Sequence, residues 1–452
     1  MTLLHDQPKT ARELEWLETI PAHWKIDRLK WSISGIFNGV WGDEPNSLED
    51  IVCIRVADFD RTRFKVAEDS LTLRAVAAKD RMNRILLKGD LLIEKSGGGE
   101  NQPVGCVVHF DHDYSAVCSN FIGRMPVATD MYPRFWSYVH AFLYAERMNV
   151  LAIKQTTGIQ NLDADSYFNL KVPFPPFVEQ RAIAEYLDRE TAKIDALVAA
   201  KERLLETLAE KRKALITNAV TRGLDAKALF RDSNIPWLGK IPAHWDIWKT
   251  GHFSQVGNGS TPSRENSEYW SNGTIPWLNS AVVNRDEVTD AEQFVTDIAF
   301  RECHLPMVST GSVLVGITGQ GKTRGLSVVL SCEATINQHI AFITPDKERA
   351  DSWYLRWLLF SAYNYLRAIS DDTGGTKGAL TCEELAGLRV PLPPLSEQRA
   401  IVTYIATETA KLDALKTAAE RTIALLKERR AALISTAVTG KINCLSAIAE
   451  GN

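Results

Sequence analysis

The sequence predicts an α+β protein made of one unit written twice, and three observations carry that reading. Residues 172–221 and 390–439 align without a gap, and more than half of the aligned positions are identical. A second duplication precedes each of them: Trp16-Leu-Glu-Thr-Ile-Pro-Ala-His-Trp24 returns as Trp237-Leu-Gly-Lys-Ile-Pro-Ala-His-Trp245. Between the duplicated parts lie two longer regions whose sequences diverge but whose landmarks correspond. Self-similarity at so long a period is a statement about architecture. It divides the chain into a mixed domain over 13–171, a long helix over 172–222, a second mixed domain over 232–389 and a second helix over 390–440.

The helices follow from local chemistry. Each repeat opens on a proline cluster (Pro173, Pro175, Pro176; Pro391, Pro393, Pro394), which holds the chain extended and blocks helix before it. Neither copy then contains Gly or Pro until Gly223 and Gly440, which are placed as C′ residues. At 1.5 Å per residue, Val178 to Val220 would span roughly 64 Å. Ile183, Leu187, Ile194, Leu197, Leu204, Leu208 and Leu215 fall at alternating heptad positions, as do Ile401, Ile405, Leu412, Leu415, Leu426 and Leu433. That is a narrow coiled-coil seam rather than the broad stripe of a globular-core helix. Glu190 and Glu408, then Lys211 and Arg429, interrupt both seams at matching places and read as a register device. The simplest arrangement pairs the two helices antiparallel; the alternative packs each on its own domain.

The divergent regions read as short mixed strands with a few helices. Leu87 to Ile93 matches Ser309 to Val315 as a strand after a turn. A polar glycine-rich loop follows each, over 96–105 and 318–325, and then a β-rich segment, 106–110 and 326–330. Ser119-Asn120 and Asn337-Gln338 come next, ahead of aromatic helix patterns from Tyr132 to Met148 and from Trp353 to Ile369. A repeated frame around divergent interiors implies one scaffold holding two differently tuned sites.

Composition excludes several classes. A net charge of −4 disfavours a protein that coats nucleic acid indiscriminately. The seven cysteines are scattered, with no CxxC pair, as expected of reduced core residues in an intracellular protein rather than a disulfide frame or zinc site. No apolar run is long enough to cross a membrane. No HExxH, metal-ligand cluster or nucleophile elbow is present, so neither catalytic nor metal-ligating residues are assigned. His23 and His244 belong to the duplicated Trp/Pro segment and read as packing residues.

One pattern is deceptive. Gly316 to Thr323 satisfies the P-loop pattern GxxxxGK[ST] in full. A working P-loop runs into a helix whose N-terminus cradles phosphate, whereas Arg324-Gly-Leu-Ser-Val-Val-Leu330 is a glycine followed by a β-branched run. The better reading is a loop that approaches DNA, with Gln320, Lys322, Thr323 and Arg324 as donors to phosphates or base edges. Lys95, Ser96, Asn101 and Gln102 are the counterparts in the first half.

The paired LPPLxEQRxI-type helices, the duplicated Ile-Pro-Ala-His-Trp, and the segments Gly259-Ser-Thr-Pro262 and Ile275-Pro-Trp-Leu278 resemble the specificity subunits of type I restriction–modification systems. The resemblance covers nearly the whole chain. It departs in the first domain, which has Gly39-Val-Trp-Gly42 and Ile51-Val-Cys-Ile54 at the places of the last two segments. It implies two α/β target recognition domains joined by two long antiparallel coiled-coil helices in an internal two-fold repeat. Each domain would read one half of a bipartite site in double-stranded DNA. Two methyltransferase subunits, bringing S-adenosylmethionine, and restriction/translocase subunits, using ATP and Mg2+, would complete a cytoplasmic complex. This chain would bind none of those cofactors itself. Two other readings stand beside it: a nucleotide-binding enzyme using 316–323, and a coiled-coil scaffold with no DNA role.

Overall fold

A computed structural model describes residues 19–69, 71–99, 102–156, 159–319, 321–371 and 378–442. They form two compact units. Unit 1 takes in residues up to 201 together with those from 421 onward, and unit 2 is the continuous stretch 202–420.

In unit 1 the strands used below are β1 (Lys25–Arg28), β2 (Phe37–Asn38), β3 (Asp50–Ile54), β4 (Thr72–Ala75), β5 (Leu91–Glu94), β6 (Val107–His109), β7 (Ala116–Cys118) and β8 (Ile122–Met125). Helix α1 (Pro133–Ala145), strand β9 (Lys171–Phe174) and the long helix α2 (Phe177–Arg222) follow. The main sheet runs β2-β8-β5-β6, extended by two short edge strands, and a smaller sheet runs β7-β3-β4 with β7 parallel to β3. Unit 2 carries β10 (Asp246–Lys249), β11 (Ser254–Asn258), β12 (Ile275–Leu278), β13 (Gln293–Val295), β14 (Val313–Gly316), β15 (Ser327–Leu330), β16 (Thr335–Ile336) and β17 (Ile340–Pro345). Helices α3 (Ser352–Ser361) and α4 (Tyr363–Asp371), strand β18 (Arg389–Leu392) and the second long helix α5 (Leu395–Val438) complete it.

The strand orders match. Unit 2 has β11-β17-β14-β15 as its main sheet and β16-β12-β13 as the smaller one, again with β16 parallel to β12. A two-stranded ribbon stands at the base of each long helix, β1 with β9 and β10 with β18. Glycine repeats the correspondence at one close approach: a Cβ on Gly39 would lie 2.2 Å from the carbonyl oxygens of Cys118 and Ser119, and one on Gly259 would lie 1.8 Å from that of Ile336. The first domain therefore keeps the fold of the second where its sequence lacks the Gly-Ser-Thr-Pro and Ile-Pro-Trp-Leu segments.

Both long helices end as the glycines require. Gly440 has φ +73°, its N–H bonds the Ala437 carbonyl, and the Lys441 N–H reaches back to that of Thr436 at 2.8 Å, a Schellman closure. Gly223 has φ +71° and makes the single bond to Ala219. In unit 1, Ile183, Ala184 and Leu187 near the start of α2 share a core with Ile434, Ala437 and Val438 near the end of α5. In unit 2, Ile216, Ala219 and Val220 share one with Ile401 and Ile405. Within each unit the two helical stretches run antiparallel.

The seam differs from the sequence expectation by one residue over the middle of α2. Leu197, Leu204 and Leu415 are exposed. The inward face instead carries Thr191, Ile194, Val198, Leu205, Leu208 and Arg212 in α2, and Thr409, Leu412, Ala419, Ile423, Leu426 and Arg430 in α5. Glu190 and Glu408 do not interrupt it. They lie on the outer side, paired with Lys193 and Lys411 one turn along, and Lys211 and Arg429 are exposed. Two apolar stripes one residue apart, Leu197 with Leu204 and Val198 with Leu205, run along the middle of α2, and the second faces inward. The register in use joins Asp195 to Arg430 at 3.0 Å in unit 1, and Arg212 to Asp413 at 3.7 Å in unit 2. Thr191 and Thr409, buried next to these pairs, satisfy their hydroxyls on the Leu187 and Ile405 carbonyls.

A glycine exchange tests the helix end. A Cβ on Gly440 would meet Pro21 Cδ at 2.3 Å in a left-handed backbone, whereas one on Gly321 would meet nothing within 4 Å. Gly440→Ala is expected to destabilise by about 2 kcal/mol or more, and Gly321→Ala by less than about 0.5 kcal/mol, read as denaturant midpoints.

Candidate nucleic-acid interface

The duplicated motifs first explain themselves as anchors. In unit 1, Glu179 in the first turn of α2 accepts from Trp24 Nε1 at 2.9 Å and bonds His23 Nε2 at 2.8 Å. In unit 2, Glu397 accepts from Trp245 Nε1 at 3.1 Å and bonds His244 Nε2 at 3.0 Å. The neighbouring glutamines are fully buried. Gln180 Oε1 accepts from the Tyr132 backbone and from Trp136 Nε1, and its amide donates to the Pro175 carbonyl. Gln398 Oε1 accepts from the Asp351 backbone, and its amide donates to the Arg349 and Pro393 carbonyls. The Pro-Pro-x-x-Glu-Gln signature thus pins each long helix to the start of α1 or α3 and to the Trp/His segment. His23 and His244, expected to be packing residues, are instead exposed hydrogen-bond partners of these glutamates.

Apart from those motifs, polar loops gather at one set of strand ends in each unit. In unit 2 three loops meet: 259–265 after β11, 316–325 after β14, and 337–339 between β16 and β17. Thr261 Oγ1 donates to Gln338 Oε1 at 2.5 Å, and Thr318 Oγ1 bonds His339 Nδ1 at 2.7 Å. Asn337 Oδ1 fixes the turn by accepting from the His339 backbone. Helix α4 holds the middle loop from behind, with Tyr363 Oη donating to the Lys322 carbonyl at 2.9 Å and Arg367 donating to that of Gly321. The Gly316–Thr323 stretch turns directly into β15, so its match to a P-loop is one of letters; no helix follows to receive phosphate.

The sequence-derived residues divide accordingly. Lys322 is exposed on the loop and Thr323 half-buried. Arg324 points inward: it is 3% exposed and pairs with Asp371, so its charge is used within the unit. In unit 1, Lys95 Nζ donates to Asn38 Oδ1 at 2.5 Å, joining the loop after β5 to the end of β2, and burial pulls its pKa below the usual lysine value. Ser96 Oγ donates to Asn161 Oδ1 at 2.6 Å, and Gln102 is exposed. Asn101 and Gln320 lie outside the described residues.

Several residues of these surfaces were not picked out from sequence. Thr261, Arg264, Thr318, Gln338 and His339 complete the unit 2 surface. In unit 1, Trp41, Asn120 and Phe121 border a cleft floored by Gly97 and Gly98, with Glu94 beneath it held by Arg61 at 2.7 Å. Burial raises the Glu94 pKa against the opposing pull of Arg61. The signal for them was the alignment itself, because Ser119-Asn120-Phe121 stands where Asn337-Gln338-His339 stands.

Loops at equivalent strand ends of two like-folded units thus present two related surfaces of different side-chain chemistry. Comparison with known proteins shows what the chain resembles. Residues 242–424 match the family described as the type I restriction modification DNA specificity domain. A putative type I restriction enzyme MjaX specificity subunit from Methanocaldococcus jannaschii is 22% identical over 84% of this chain and 86% of its own length. The EcoKI specificity subunit of Escherichia coli K12 is 23% identical over 78% and 75%. In structure, a chain from work on complex assembly of the type I R-M system aligns over 94% of this chain and all of its own, with a TM-score of 0.67 at 20% identity. The HsdS subunit from Thermoanaerobacter tengcongensis gives 0.54 at 17% over 94% of this chain and 98% of its own. Residues 242–424 thus match a type I restriction modification DNA specificity domain, and most of the chain is similar in sequence and fold to specificity subunits of type I systems.

The anchoring role of the glutamines is separable from recognition. Gln398→Leu leaves one buried N–H and two carbonyls unpaired and is expected to cost about 3 kcal/mol of stability. Lys322→Ala is expected to leave thermal stability within about 0.5 kcal/mol of the parent. Equal losses would show that the glutamine is not the anchor.

Proposed function

We propose that this chain is the DNA sequence-specificity subunit of a type I restriction–modification complex, and that each unit reads one half of a bipartite site. The observation that supports this most directly is the gathering of polar loops at the same strand ends in two units of like strand order and unlike loop chemistry. Two different half-sites need two different reading surfaces, and a fixed spacer between them sets the gap along the duplex. The two long helices, paired as an antiparallel coiled coil within a two-fold repeat, serve as that spacer. The net charge of −4 fits a subunit that leaves most of the wrapping of DNA to partners and keeps specific contacts for itself.

The chain is non-catalytic in this reading. It docks two methyltransferase subunits, which carry S-adenosylmethionine, and restriction/translocase subunits, which use ATP and Mg2+, in the cytoplasm. Its contact residues are drawn from the loops: exposed Lys322, Gln338 and His339 with half-buried Thr261 and Thr323 in unit 2, and exposed Gln102, Asn120, Phe121 and Trp41 in unit 1.

Exchange of reading surfaces tests the proposal. Replacing residues 30–155 with the matching region of a relative of different specificity, in cells carrying the partner subunits, is expected to change one half of the methylated motif and leave the other half intact. A change in both halves, or in neither, would overturn the assignment of one half-site to each unit.

A further inference from the structure

Arg264 is held against two tryptophan rings with its charge left at the surface. Its guanidinium carbon sits 3.7 Å from the centroid of the Trp270 ring and 4.9 Å from that of Trp277, and the two rings stand edge to face at 87°. Gln293 Oε1 accepts from Nη2 at 2.6 Å. The rings are themselves tied to the same loop, Trp277 Nε1 to the Ser260 carbonyl at 3.1 Å and Trp270 Nε1 to that of Ser263 at 3.0 Å. Trp277 is almost fully buried, yet Arg264 is exposed. Among the described residues it forms no ion pair. The result is an immobilised cation whose charge is uncompensated.

Unit 1 does not repeat the device. At the strand position of Trp277 it has Cys53, and opposite that, in place of Gln293, it has Thr72. The nearest arrangement is Arg74 over the Trp41 ring at 4.5 Å, but Glu44 takes its Nη1 at 2.6 Å and the Gly42 carbonyl accepts from Nη2. That charge is neutralised within the unit. The Arg264 cation is therefore not a requirement of the fold.

We propose that Arg264 clamps one phosphate of the DNA backbone beside the half-site read by unit 2 and thereby positions the duplex, without reading a base. This rests on the specificity-subunit reading above. Base edges lie at the bottom of a groove about 8.5 Å deep, so a base reader must project. Arg264 instead lies flat along its own unit, where it meets only what passes across the surface. Phosphate contacts come from side chains fixed in this way, and they set register without carrying sequence information. Its two-ring seat suits a planar, stacking guanidinium better than an ammonium.

The test uses the chain assembled with its methyltransferase subunits, on duplexes that carry or lack the cognate site, from about 50 to 200 mM salt. Arg264→Ala is expected to weaken binding to both duplexes by a similar several-fold factor, to lower the salt slope by about one, and to leave the methylated motif unchanged. Arg264→Lys is expected to keep the slope nearer the parent value while still binding more weakly. Relaxation of a single base position, with affinity for non-cognate DNA unchanged, would overturn the proposal by making Arg264 a base reader. Unaltered affinity and slope would overturn it by removing Arg264 from the interface. A parent complex that does not prefer its cognate duplex would instead sink the specificity reading on which the proposal stands.

Discussion

The contact on which each unit depends is the one made by the glutamate and glutamine in the first turn of its long helix. Glu179 and Glu397 bind an indole N–H and an imidazole at once, and Gln180 and Gln398, buried beside them, bond the chain at the start of the next domain helix. A helix of this length would otherwise pivot on its proline hinge. Buried amides with every partner in place are costly to disturb, and in unit 1 the Arg134–Asp188 pair and the core packing of Ile183 and Leu187 hold the following turns of α2 to the same domain. Loops at the far ends of the strands inherit whatever precision that joint provides.

Much of this was legible in the chain. Proline clusters, glycine caps and a repeated heptad pattern marked both long helices, which begin at Phe177 and Leu395 after a short strand occupies the first residues of each repeat, because each signal acts on the backbone next to it. The seam was legible only in part. Leu197 and Val198, like Leu204 and Leu205, are adjacent apolar residues, and periodicity does not choose between neighbouring stripes. The register in use is accompanied by the Asp195–Arg430 and Arg212–Asp413 pairs. A contact between residues so far apart in sequence leaves no local signal.

The recognition surface divides in the same way. Glycine-rich loops between β-rich segments marked where the chain leaves the sheets, and the repeat showed which loops correspond. What it left undetermined was side-chain direction. Arg324 reads as a donor beside Lys322, yet one faces inward to Asp371 and the other outward. The reverse happened at Arg264. It sits in a segment rich in Asn, Ser and Glu that reads as an ordinary turn, and its role depends on tryptophans at 270 and 277 brought over it by folding.

The division of the chain also has a history in synthesis. Unit 2 is one uninterrupted stretch, 202–420, whereas unit 1 takes its closing helical segment from residues after 420. Domains generally fold as their residues leave the ribosome. Unit 1, although it is made first, must wait for that segment with the apolar faces of Ile183 and Leu187 unmatched by Ile434 and Val438. All residues of unit 2 are therefore made before the closing segment of unit 1 has been synthesised.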